Sequence, residues 1–355
     1  MHEDSQGGAR VESVTEYASI LGHERPVRQL ECAREAGRVA HAYLFHGPDG
    51  VGKERVARTF AKALNCEGDH PPCGGCGGCR AIDRGNHPDV RLVASEEELV
   101  ARGVLEPDSS RSPSVQIRNA QLDELADLFR HRPYRGRWKV VVIVDADKTN
   151  HHSQNRFLKT LEEPIDDSVI ILVTAHPENL LPTVRSRCQA LAFGTLARSD
   201  IAAYLSGREG LDAGRAEVLA AMAQGSLGRA LELAAGDVLD TRDEVVEAWE
   251  QAREGDLADL LARAEQLGTN RQTLHDSLDL LELWCRDLLL VLAGADQDLL
   301  VNQDRRDRVL HGAGQVSMHR LLDTVERVRK TRAFQHLNAN PRMAIESLLL
   351  SMETP

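Results

Sequence analysis

Residues 45–58 read FHGPDGVGKERVAR, and this stretch decides the fold. Gly47, Gly50, Gly52 and Lys53 stand at the spacing of a phosphate-binding loop. In such a loop successive backbone N–H groups point into one concavity at a helix N-terminus. Glycines let the chain turn sharply and approach the phosphates, and the lysine reaches the outer ones. The flanks agree. AHAYLFHG (40–47) is a short apolar run ending in glycine, the pattern of a buried strand, and KERVARTFAKALNC (53–66) carries Val56, Phe60 and Leu64 at helical spacing. One letter departs from the pattern. The position after the lysine is ordinarily Ser or Thr, whose hydroxyl ligates magnesium; here it is Glu54. Its carboxylate is longer than a hydroxyl and its charge repels phosphates.

The second half of the expected machinery is altered too. KVVVIVDAD (139–147) is the clearest buried strand. An ATPase of this class ends such a strand in Asp–Glu, the Asp helping to hold the metal and the Glu activating water. With Ala146 and Asp147 aligned to the residues that usually follow, Val144 replaces the metal-binding Asp and Asp145 replaces the catalytic Glu. Two independent metal contacts are gone. The expectation is a chain without ATP hydrolysis, whose nucleotide binding, through the loop amides and Lys53, is weak or absent.

Further along, SQNRFLKTLEE (153–163) predicts a helix with Phe157, Leu158 and Leu161 on one face, stopped by Pro164, and SVIILVTA (168–175) predicts another buried strand. Strands this apolar, separated by helices, imply an α/β domain with a parallel sheet covered on both faces. Residues 94–114, acidic and then rich in Ser and Pro, read as a loop or a poorly ordered excursion. After about residue 194 strand patterns cease. Leu274, Leu278, Leu281, Cys285, Leu288 and Leu292 form one apolar stripe, and Leu321, Val325 and Val328 a second, as in a helical bundle. The expected domains are an α/β nucleotide-binding-like domain over 1–194 with an insert at 66–79, a small helical lid over 195–237, and an all-helical domain over 238–355.

The insert, CEGDHPPCGGCGGC, places Cys66, Cys73, Cys76 and Cys79 at C-x6-C-x2-C-x2-C with glycines in the gaps. Four thiolates in a small loop match a closed, tetrahedral structural zinc site. An iron–sulfur cluster is the competitor, and four free thiols, an oxidation liability, the bland alternative. Cys32, Cys188 and Cys285 read as packing residues. Seven cysteines in 355 residues do not make a disulfide scaffold, and a reducing, cytoplasmic compartment fits. The N-terminal residues lack a signal pattern, and the most apolar stretch, LLELWCRDLLLVLAG, is broken by Glu282, Arg286 and Asp287, so no membrane span is expected. A net charge of −12 argues against coating nucleic acid by bulk electrostatics. LFRHRPYRGRWK (128–139) is the one dense basic run, either a solvated loop leading into a strand or a local nucleic-acid contact. LLPTVRSRCQ (180–189) carries Arg185 and Arg187 two apart, so an extended segment would put them on one face. They pair with the protein's own acids, or Arg187 is donated to a neighbour's nucleotide.

HAYLFHGPDGVGK, the cysteine cluster, GNHPDV (85–90), NRFLKTLEEP and LLPTVRSRC occur here in the order found in bacterial clamp-loader subunits of DNA polymerase III, and the chain resembles that family over residues 17 to about 235. LNANPRMAIESLLL (337–350) is similar to the family's C-terminal helices. Length and the degenerate motifs point, within it, to the delta-prime branch and away from the longer tau/gamma motor. The resemblance implies an AAA+ module with a helical lid and a helical collar that joins five subunits in a ring. That ring, with tau/gamma and delta subunits as partners, opens the sliding clamp and places it on primed DNA in the nucleoid-associated replisome. It implies a non-hydrolysing stator whose Arg187 serves, in trans, as an arginine finger for an adjacent motor. Thr174 matches the polar residue ending the family's sensor strand. In GSLGRALEL (225–233) Gly228 stands where motors carry a nucleotide-sensing arginine, and Arg229, one step later, should point elsewhere. The alternatives are an active tau/gamma-like ATPase of the same fold and a stand-alone zinc-dependent nucleic-acid binder; the acidic net charge counts against the latter.

Overall fold

The computed structural model describes residues 15–106, 111–118, 121, 128–129, 132–252, 257–335 and 340–351. The chain divides into two compact units after Asp200.

In the first unit the elements are α1 (Glu24–Glu35), β1 (Ala42–His46), α2 (Lys53–Asn65), α3 (Gly77–Asp83), β2 (Val90–Val93), α4 (Glu96–Ala101), β3 (Lys139–Ile143), α5 (His151–Glu162), β4 (Ser168–Thr174), the single-turn α6 (Pro182–Arg185) and β5 (Gln189–Ala192). The five strands form one parallel sheet in the order β2-β3-β4-β1-β5, with Leu44 opposite Leu172 and Val142 opposite Ile171. Successive residues of one strand point to opposite faces, and both faces are buried. Tyr43, Phe45, Val140, Val142 and Ile171 pack with Val56 and Phe60 of α2, whereas Leu44, Val141, Ile143, Ile170 and Leu172 pack with Leu161 of α5 and with Leu180. This two-sided burial is why these strands read as continuous apolar runs.

Two expectations need correction. Residues 94–114 contain α4: Ser95 Oγ accepts the Glu98 N–H at 3.3 Å, and Glu96, Glu97 and Glu98 fill the first turn, so the acidic stretch is a capped helix start. Residues 107–110 lie outside the described residues, as does the Phe157 side chain; Leu161 is buried and Leu158 half-buried. The strand expected over 139–147 ends at Ile143, and Ala146–Lys148 is a 3-10 turn.

The second unit continues from α7 (Arg198–Arg208), whose first turn holds the division, through α8 (Ala213–Met222), α9 (Leu227–Ala235), α10 (Val238–Gln251), α11 (Leu257–Leu267), α12 (Arg271–Leu292), α13 (Arg306–Ala313), α14 (Met318–Gln335) and α15 (Pro341–Leu350). The stripe on α12 is buried from Leu274 to Leu288, among Trp249, Trp284, Leu321 and Val328. Leu292, at the helix end, is exposed, and Val325 is only partly covered. Inside this apolar unit Asp287 is fully buried on α12. Its carboxylate accepts the backbone N–H groups of Val301 (3.0 Å) and Asn302 (2.8 Å) and the Asn302 side-chain amide (2.8 Å). A buried donor left without a partner costs about 1–3 kcal/mol. Asp287→Ala is therefore expected to lower the unfolding free energy by about 3 kcal/mol or more, read from the urea midpoint. Leu292→Ala, on the same helix, should change it by less than about 0.5 kcal/mol.

Candidate functional site

β1 delivers the chain into the phosphate loop, and the glycines there are fixed by space and by backbone angle. Gly47 has φ +147°, and a Cβ on it would lie 2.0 Å from the Phe193 carbonyl oxygen, just past β5. Gly50 and Gly52 have φ +68° and +109°, the left-handed region that glycine enters without penalty. The Val51 carbonyl accepts a bond from His23 Nε2 at 2.8 Å. Lys53 opens α2 and is buried; its ammonium donates to the Gly47 and Pro48 carbonyls, both at 2.6 Å, with Asp49 at 3.7 Å. Burial pushes the Lys53 pKa down, opposed by the Asp49 carboxylate. Any phosphate entering the loop competes with these oxygens for the lysine.

Glu54 points elsewhere. Its two carboxylate oxygens accept from Arg102 Nη1 and Nη2, each at 2.7 Å, and Arg58 lies 3.6 Å away. Arg102, just beyond α4, also donates to Glu98 at 2.8 Å. Hydrogen bonding to Glu54 raises the Arg102 pKa, burial opposing. Val144 is buried in the same core as Phe45, Val51 and Val56 and offers no oxygen to a metal. Asp145, in the left-handed conformation at φ +50°, pairs with Lys148 at 3.0 Å. Thr174, fully buried at the end of β4, donates its hydroxyl to Asp147 and accepts the His176 N–H at 2.9 Å. The side chains of Lys53, Glu54, Asp145 and Thr174 are thus each engaged by partners from the chain itself.

Arg187 is half-buried. Its guanidinium reaches Glu162, at the end of α5, at 2.6 Å and donates to the Thr183 carbonyl at 2.9 Å. The extended segment expected for Arg185 and Arg187 is replaced by the turn of α6, so the two do not share a face as strand neighbours; Arg185 is exposed. In the second unit Arg229 donates to Asp276 of α12 at 2.9 Å, and Gly228 lies in the first turn of α9.

The sulfur atoms of Cys66, Cys73, Cys76 and Cys79 lie within 4.8 Å of one another. Backbone N–H groups of Gly68, Cys76 and Cys79 point at the Cys66, Cys73 and Cys76 sulfurs at 3.3–3.4 Å. Burial disfavours the Cys76 thiolate, yet the Cys79 N–H and the neighbouring thiols take its pKa to about 6. Burial pushes the Cys66 and Cys79 thiols up. Gly78 leaves no room for a side chain, since a Cβ there would meet the Asn65 carbonyl at 2.9 Å. Of the cysteines read as packing residues, Cys285 is buried and Cys188 half-buried, but Cys32 is exposed.

Sequence reading missed Arg102 and Asp89. Asp89, buried within GNHPDV, accepts the N–H groups of Tyr134 (2.6 Å), Arg135 (2.7 Å) and Gly136 (2.7 Å). Its signal was present, an aspartate just before the strand β2, but its partners lie 45 residues on.

Comparison with known proteins accords with this geometry. A family model described as DNA polymerase III, delta subunit, matches residues 22–197, and one described as its C-terminal part matches 237–354. The DNA polymerase III subunit delta' of Bacillus subtilis is 30% identical over 335 residues, 93% of this chain and 95% of that one. Subunit delta' of Pseudomonas aeruginosa is 35% identical over 167 residues, 46% of each chain. Subunit tau of Escherichia coli is 36% identical over 174 residues, 48% of this chain and 24% of that one. The parallel sheet, the loop after its β1 strand and the helix-rich C-terminal region define a AAA+ protein of the clamp-loader class. The chain belongs to the delta-prime family of DNA polymerase III clamp-loader subunits.

Two variants test the local geometry. Gly47→Ala should fold with a cost of several kcal/mol or not at all, since the Cβ meets backbone rather than a movable side chain; a thermal melt matching wild type contradicts this. For Asp89, burial raises the pKa, but the three N–H donors outweigh it and hold the carboxyl below its usual value. A depressed folded pKa gives stability that is complete above about pH 4 and is lost as pH falls through the folded value. Asp89→Asn should cost about 2 kcal/mol at pH 7 and show a smaller stability loss between pH 7 and pH 3 than wild type, measured by urea unfolding at both.

Proposed function

We propose that this clamp-loader subunit is a stator: it holds the shape of a nucleotide site, does not hydrolyse ATP, and binds nucleotide weakly or not at all. The observation that carries this reading is the Glu54–Arg102 clamp. The residue standing at the metal-ligating position has both carboxylate oxygens engaged by a guanidinium at 2.7 Å, and the second metal position is Val144, buried among apolar side chains. In this reading the chain acts within the cytoplasmic, nucleoid-associated replisome as one member of a five-membered ring with tau/gamma and delta subunits. It reaches the sliding clamp indirectly and primed DNA through the complex. Residues 1–194 form the AAA+ domain, 195–237 the lid and 238–355 the collar that assembles the ring.

Arg187 is the active contribution. Half-buried and held, among the described residues, by Glu162 and the Thr183 carbonyl, it can be handed to the ATP of an adjacent motor, where it stabilises charge developing on the transferred phosphoryl group. Zinc is the structural ion of the insert. A tetrahedral zinc with Zn–S bonds of about 2.3 Å needs sulfurs about 3.8 Å apart, and Cys66 and Cys76 stand at 4.0 Å. Four thiolates close the coordination sphere, so the ion would staple a loop and take no part in chemistry.

In complexes reconstituted with motor and delta subunits, Arg187→Ala should slow the ATP site it serves by roughly 10³-fold or more and depress clamp loading. Unchanged turnover and loading would remove the arginine from the mechanism. Metal analysis of the purified chain should find one zinc per chain, lost in Cys79→Ser; iron, or no metal, contradicts the assignment.

A further inference from the structure

The basic run 128–139 has a use that the stator reading does not supply. Its residues separate into two sets. Phe129 is buried, Trp138 packs partly against the sheet core, and Lys139 is buried with its ammonium bonded to the Leu128 carbonyl. Arg135 pairs with Glu67 at 3.2 Å. The other set faces water. Tyr134 is 89% exposed, Arg132 and Arg137 are exposed, and neither arginine makes a hydrogen bond or ion pair with any described residue.

The backbone beneath Tyr134 and Arg137 is pinned. Asp89 takes the N–H groups of Tyr134, Arg135 and Gly136. Asn65 takes the Trp138 N–H at 2.9 Å and donates to its carbonyl at 3.0 Å. Gly136 comes so close that a Cβ on it would sit 2.3 Å from the Asn65 side-chain oxygen. An aromatic ring and one cation are thus presented to solvent on a preorganised stretch, where ordering on binding costs little, with Arg132 two residues before the ring.

We propose that Tyr134, Arg132 and Arg137 form a contact site for single-stranded DNA. A base stacks on the Tyr134 ring, and the two guanidinium groups take phosphates on either side. Duplex DNA offers no free base face to the ring, which is why the unpaired strand is the ligand. With a net charge of −12 on the chain and two arginines to meet phosphates, binding is weak and confined to low salt.

The test is fluorescence anisotropy of a labelled oligothymidylate titrated with the full chain at low ionic strength, each variant first shown to melt like wild type. Tyr134→Ala should weaken binding about tenfold, and Tyr134→Phe, which keeps the stacking face, should not. Replacing Arg132 and Arg137 together by Ala should reduce the slope of log affinity against log salt by about 1.4, two phosphates at about 0.7 each for a single strand. The proposal is overturned if wild type does not bind, or if the variants bind as wild type does. It is also overturned if Tyr134→Phe is as weak as Tyr134→Ala. Loss of association with delta or tau/gamma subunits in the same variants, with DNA binding intact, would make the loop a protein interface and overturn it as well.

Discussion

The rest of the site depends on where one carboxylate goes. Glu54 begins the second residue of α2, against the loop that would hold phosphate, and Arg102 draws it away to the end of α4 through two bonds of 2.7 Å. A charge that would repel phosphates is neutralised, and both of its oxygens are engaged by the guanidinium. Lys53, its neighbour, is turned onto the Gly47 and Pro48 carbonyls. The loop keeps its shape because Gly47 is pressed against the carbonyl of Phe193, a constraint of packing that persists whether or not phosphate chemistry is performed. Shape is held here by backbone sterics, whereas the two positions that seat a metal in ATPases of this class carry Glu54, engaged by Arg102, and Val144, buried among apolar side chains.

Away from the loop, the same unit is tied together by a few buried polar residues. Asn65 closes α2, brackets Trp138 and lies directly before Cys66. Lys62 pairs with Glu16 at 2.5 Å and with Asp83 on α3. Asp89 organises the turn into β3. These ties anchor the cysteine loop and the basic loop to the sheet, so neither is an independent excursion. A metal held by the four thiols would tighten a frame that hydrogen bonds already define.

Much of this was legible in the sequence where burial is two-sided or the pattern is long. β1, β3 and β4, central in the sheet, read as apolar runs because both faces are covered, and the stripe from Leu274 to Leu288 repeats over four turns. β2 and β5 escaped notice because they are the two edge strands, four residues each, with partly exposed side chains such as Arg91 and Gln189. The cysteine cluster was legible because its members are local. Arg102 was not: it stands 48 residues from Glu54, and only the fold brings them together. Arg185 and Arg187 were misplaced for a related reason, since a proline-started turn, and not an extended segment, carries them.

The central claim is that this subunit cannot seat the divalent ion that ATP cleavage requires. Its most direct test is a single-turnover assay of the purified chain with radiolabelled ATP and saturating magnesium, run beside Lys53→Ala. The account predicts phosphate release in wild type indistinguishable from the Lys53→Ala protein. Magnesium-dependent release that disappears in Lys53→Ala would contradict it.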